Sequence, residues 1–112
     1  MADRECLHEE KLAWHLLPMD ALEGAVRVLM AGARKYAPNN WLTPPTFKLE
    51  NITDPLKRHL FALESGQEID LDSGLPHTDH ILCNAIFLTY YYKHDLFTAG
   101  DIDDRLDLVG QA

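Results

Sequence analysis

The chain has 112 residues and a mass of 12.7 kDa, which leaves room for one domain and no second core. With 46% hydrophobic and 25% charged residues, its composition is that of a folded soluble protein and excludes wholesale disorder. The net charge of −8 arises entirely beyond residue 58: residues 1–58 balance eight basic against eight acidic side chains, whereas residues 59–112 set ten acids against Lys93 and Arg105. An acidic chain without a basic stripe is unsuited to gripping nucleic acid through its phosphates.

In chain order, the opening residues lack the apolar core of a secretion signal, and the cytoplasm is the expected location. Cys6 and Cys83 make neither a disulfide framework nor a zinc knuckle. Pro18 with Asp20 behind it reads as a helix start. Leu22, Val26, Leu29, Met30 and Ala33 then follow a helical period, and the helix stops before Pro38. Residues 37–52 hold three prolines, the pair Asn39-Asn40 and an exposed-looking Trp41, and read as a long loop of the kind that often carries function.

A second helix is expected from a cap at Thr53 or Asp54, with Pro55 in its first turn, an apolar stripe at Leu56, Leu60 and Leu63, and an end at Gly66. Residues 67–74 form a polar acidic loop. Pro76 opens the third helix, about 76–95, expected to bury Ile81, Leu82, Ala85, Ile86, Leu88 and Tyr92. Its apolar stretch, residues 81–92, is interrupted by Asn84 and Thr89 and falls short of a membrane span. The acidic tail, 98–112, forms a short helix or frays. No strand pattern or repeat competes. The expectation is a single all-α domain over residues 1–112, a small bundle of three main helices whose thin core is completed by homo-oligomerisation.

The chemistry gathers around the third helix. His77 and His80 stand three apart, with Asn84 one turn on, so all three project from one face. Glu68, Asp70 and Asp72 precede them in the loop, and His59 and Glu64 lie on the second helix, which a short loop forces antiparallel. Imidazoles and carboxylates therefore converge on one groove, and no lysine or arginine lies between residues 59 and 92 to neutralise them. A divalent metal suits such a groove; a solvated acidic face is the alternative. From the first half, Arg34 and Lys35 could hold phosphates, while Tyr36, Asn40 and Trp41 could meet a base. The plainer alternative is that the two cations balance a helix C-terminus and Trp41 covers a core edge.

Residues 32–41 (GARKYAPNNW), 58–77 (RHLFALESGQEIDLDSGLPH), His80 and residues 83–88 (CNAIFL) together resemble the phage-associated dATP/dGTP diphosphohydrolase family, which includes MazZ-like enzymes within the all-α, MazG-like pyrophosphohydrolases. The resemblance implies a divalent-metal enzyme, with Mg²⁺ or Mn²⁺, that cuts a (deoxy)purine nucleoside triphosphate to the monophosphate and pyrophosphate in phage nucleotide metabolism. By this resemblance Asp70, His77 and His80 fall on the family's aspartate and paired histidines. Asp72 stands where glutamate is usual, Gln67-Glu68 where relatives have Glu-Asp, and Asp79 where they have a small apolar residue.

The expected metal set is then His59, Glu64, Glu68, Asp70, Asp72, His77 and His80. A metal-bound water attacks the α-phosphorus, with His77, His80 and Asp72 as catalytic groups and Arg34, Lys35, Tyr36, Asn40 and Trp41 on the substrate. Two further readings are a protein that sequesters the nucleotide uncut and an HD-type phosphohydrolase, suggested by His59, His77 and the pair His94-Asp95. In a continuous helix that pair lies about 25 Å from His77.

Overall fold

The computed structural model describes residues 10–42, 48–98 and 101–102. Helix α1 spans Glu23–Lys35, α2 spans Glu50–Glu64 and α3 spans His77–Lys93. Short 3-10 turns occupy Trp14–Leu16, Met19–Leu22 and Asn40–Leu42, and the fold is all-α, with no strand among the described residues. Helix α3 is the middle member, packed on α2 along one side and on α1 along another. None of these helices is long and apolar enough to cross a membrane.

Helix α1 begins later than its proline suggests, because the segment behind Pro18 winds first as the tighter Met19–Leu22 turn. The buried positions are Gly24 and Ala25, while Val26 and Met30 of the expected stripe are half-exposed. Gly24 is where α1 meets α3: a Cβ there would overlap the Asp79 carboxylate. The glycine accommodates that aspartate.

Helix α2 starts at Glu50, earlier than the expected cap at Thr53 or Asp54, and Pro55 lies inside it. The start is fixed from elsewhere in the chain, since the Leu49 N–H donates to the Asp101 carboxylate at 2.7 Å. One residue of the acidic tail thus caps α2; residues 103–112 lie outside the described residues. Ile52 is the buried residue of α2, and Leu60 of the expected stripe is exposed. The helix ends as its glycine indicates: Gly66 takes φ +96°, Gly66 N–H donates to Leu63 O and Gln67 N–H to Ala62 O, each at 3.0 Å. These two bonds make a Schellman motif and fix where the chain goes next.

Helix α3 buries His77, Cys83 and Tyr91, whereas Tyr92 is 70% exposed and Ile86 38% exposed. The expectation for those two fails because α3 is apolar nearly all round, so composition does not say which side meets α1 and α2. Burial pushes the Cys83 thiol up to about 11, which leaves it an inert core group. The C-terminal end repeats the Schellman pattern, with Asp95 at φ +53° and Leu96 N–H donating to Tyr91 O at 2.9 Å.

Candidate functional site

The loop between α2 and α3 is a closed turn. Ile69 and Pro76 form an isolated antiparallel bridge, Asp70 N–H donates to Leu75 O (2.9 Å), and Gly74, at φ +73°, donates to Asp70 O (2.7 Å). The Asp70 carboxylate accepts the Ser73 N–H at 3.2 Å, so the aspartate holds the turn that aims it. His77 N–H donates to Glu68 O at 2.9 Å and ties the loop's start to the first residue of α3.

This closure brings four side chains together. His59, Asp70 and His77 each offer one ligand atom, and these atoms lie within 4.8 Å of one another. His77 is 3% exposed, a buried polar residue that must be hydrogen-bonded. Its Nε2 donates to Gln67 Oε1 at 2.7 Å, and its Nδ1 faces His59 Nδ1 at 2.8 Å. Since the Gln67 oxygen can only accept, neutral His77 carries its proton on Nε2 and accepts from His59 through Nδ1. The His80 ring stacks on His59 at 4.4 Å and 6°, with its Nε2 2.7 Å from Ser73 Oγ and 3.5 Å from Asp70 Oδ2.

Burial lowers the pKa of His59, and its neighbour His80 adds to this; burial likewise lowers that of His80, with Asp70 opposing. Both imidazoles are therefore neutral at pH 7, the form that ligates a metal or accepts a proton. Partial burial acts to raise the Asp70 carboxyl, yet the Ser73 hydroxyl and N–H hold it below the usual aspartate value. Two imidazoles beside one carboxylate, as in the group of His59, His77 and Asp70, fit a divalent first-row transition metal better than Mg²⁺, which prefers oxygen donors.

The other expected ligands stand apart. Glu64 and Glu68 are exposed and outside this group; Glu68 contributes its backbone carbonyl. Asp72 is exposed and faces Lys35 across the α1 side, with Oδ2 3.8 Å from Nζ. Gln67 and Ser73 are absent from the sequence-based set. The Schellman glycine before Gln67 and the Asp-x-x-Ser spacing were the signals that could have found them.

The substrate candidates divide similarly. Tyr36, Asn40 and Trp41 line a cavity of about 460 Å³ walled by Leu29, Met30 and Phe87. Trp41 is half-buried: Phe87 stacks on it at 4.5 Å and 18°, Tyr90 meets it edge-on at 5.2 Å, and its carbonyl accepts the Tyr91 hydroxyl. Asn84 lies in an adjoining cleft of about 430 Å³ with Asn40 and Asn51. Arg34 is exposed and lines neither space. Lys35 spans the two regions, its Nζ 5.3 Å from the Tyr36 ring centre on one side and beside Asp72 on the other.

His94 stacks on Tyr90 at 4.0 Å, and Asp95 is the left-handed residue ending α3, so that pair serves as a helix cap.

Comparison with known proteins adds an independent finding. A family model described as dATP/dGTP diphosphohydrolase, N-terminal, matches residues 3–105. A dATP/dGTP diphosphohydrolase of Salmonella phage PMBT28 is 35% identical over 66 residues, which are 59% of this chain and 22% of the phage protein. The matched stretch thus spans about a fifth of that curated relative. No solved structure matches the chain.

Proposed function

The chain belongs to the dATP/dGTP diphosphohydrolase N-terminal family, and from that premise we propose that it hydrolyses a (deoxy)purine nucleoside triphosphate, dATP or dGTP, to the monophosphate and pyrophosphate. The observation that carries this reading is Lys35, which stands between a cavity able to take a flat ring and the loop that carries the histidine–aspartate group. A nucleotide is such a ligand: an aromatic head joined to an anionic tail.

In this reading the base enters the cavity lined by Tyr36, Asn40 and Trp41, and the triphosphate passes Lys35, exchanging the Asp72 carboxylate for phosphate oxygens. His59, Asp70 and His77 would hold the divalent cation, Mn²⁺ in preference to Mg²⁺. When bound, the cation neutralises phosphate charge and lowers the pKa of a water. His80, kept neutral by burial, accepts the proton of the water that attacks the α-phosphorus, and Ser73 and Asp70 orient its ring. Asp72 answers for Lys35, and Arg34 adds positive potential from the end of α1. Glu64 and Glu68 have no direct part.

Self-association, as a dimer or tetramer, fits the exposed apolar side chains Val26, Met30 and Tyr92 on so small a core. Such an enzyme works in the cytoplasm, that of the host if a phage encodes it.

Incubation with dATP or dGTP and Mn²⁺, with products resolved by chromatography, tests the reading. Pyrophosphate and the deoxynucleoside monophosphate are expected. Tight binding without turnover would favour sequestration, and release of intact triphosphate would favour HD-type chemistry.

A further inference from the structure

We propose that Gln67 is a positioning residue for His77: its side-chain oxygen holds the imidazole in the Nε2–H form and so turns the Nδ1 lone pair toward His59 and Asp70. Three observations converge on it. The 2.7 Å contact joins Gln67 Oε1 to the Nε2 of a ring that is itself only 3% exposed. The Gln67 backbone is pinned, because its N–H closes the Schellman turn onto Ala62 O. The opposite ring nitrogen of His77 lies 2.8 Å from His59 Nδ1, and His77 and His59 belong with Asp70 to the group whose ligand atoms lie within 4.8 Å of one another.

An imidazole that ligates through one nitrogen commonly donates through the other, and that outer partner fixes both tautomer and ring orientation. Gln67 supplies this partner as a carboxamide. The family resemblance puts glutamate at this position, and the geometry explains why glutamine can stand there. The position requires an acceptor for one N–H, which either side chain provides, and it contributes no ligand atom. Ser73 Oγ stands 2.7 Å from the His80 Nε2, and it comes from the turn that Asp70 holds.

The inference rests on the metal reading above, and its test separates the two. In the metal-free protein, two-dimensional ¹H–¹⁵N NMR of the imidazoles reads the His77 tautomer directly. Wild type and Gln67→Glu are expected in the Nε2–H form, and Gln67→Leu as a mixture of tautomers. Co²⁺ titration followed by visible absorption then reads metal affinity. Gln67→Leu is expected to bind about 10–100-fold more weakly, whereas Gln67→Glu binds at least as tightly as wild type. Circular dichroism confirms that both variants, changed at an exposed side chain, keep their helices. A Gln67→Leu protein with the His77 tautomer and Co²⁺ affinity of wild type would overturn the inference. Wild type that binds no Co²⁺ while its His77 tautomer depends on Gln67 would overturn the metal reading and leave the positioning role standing.

Discussion

At its N-terminal end, α3 holds its chemistry by hydrogen bonds; along its second half it holds a loop by ring stacking. The first region places His59, Asp70, His77 and His80 through a chain of polar contacts in which Gln67, Ser73 and the Glu68 carbonyl each satisfy a partner. The second region clasps Trp41 between Phe87, Tyr90 and Tyr91 and leaves an apolar cavity beside it. Hydrogen bonds are directional, so the polar region can fix tautomers and lone pairs. Stacking tolerates sliding, so the aromatic region can adapt to a ligand. On the proposed reading, the difference puts chemistry and shape recognition at separate places on one helix, with Lys35 between them.

The largest expected effect tests whether the polar region is the catalytic one. His77→Ala and His80→Ala are each expected to abolish metal-dependent pyrophosphate release while circular dichroism keeps its helical signal. His77→Ala is also expected to lower stability by about 1–3 kcal/mol, because it removes a buried ring and its hydrogen bond to His59. Near wild-type turnover in either variant would make that histidine structural.

Trp41→Ala probes the other region. Loss of a half-buried indole with three ring partners is expected to cost about 3 kcal/mol in urea denaturation. Nucleoside and triphosphate should lose affinity alike. A variant with unchanged stability and purine-only weakening would make Trp41 a dedicated base platform.

Acidification should act on the polar region alone. The folded-state pKa values of His59 and His80 lie below the unfolded histidine value, so the unfolded chain takes up protons first as pH falls. Their contribution is present above about pH 6.5 and is lost as pH drops through the unfolded and then the folded values. The Asp70 contribution, also from a lowered value, is lost at still lower pH, beneath about 4. Urea midpoints measured between pH 7 and 5 should therefore fall, and replacing His59 and His80 together by glutamine should flatten the fall.

The smallest effect on stability belongs to the link between the regions. Lys35 and Asp72 are both largely exposed, so Lys35→Ala should leave the melting temperature unchanged within error. Its effect should appear in binding, weakening triphosphates roughly tenfold relative to nucleosides. Equal affinities for both ligand classes would place the phosphates elsewhere.

The sequence by itself determined the helical class, the Gly66 stop and the break before Pro38, because at those positions glycine and proline act through local backbone geometry. It also put His77 and His80 on one face, since a helix fixes that spacing. Tertiary structure decided the rest. Helix α2 starts at Glu50 because Asp101, half a chain away, caps it. Tyr91 is buried and Tyr92 exposed because packing on α1 and α2 chooses a side of a helix that is apolar nearly all round. Among the acids of the described residues, Asp70 alone joins His59 and His77, because its carboxylate is tied into the turn, while Glu64, Glu68 and Asp72 of similar local chemistry face solvent. Charge and spacing make a carboxylate a candidate; only the closed loop and the antiparallel helix bring its oxygen to an imidazole.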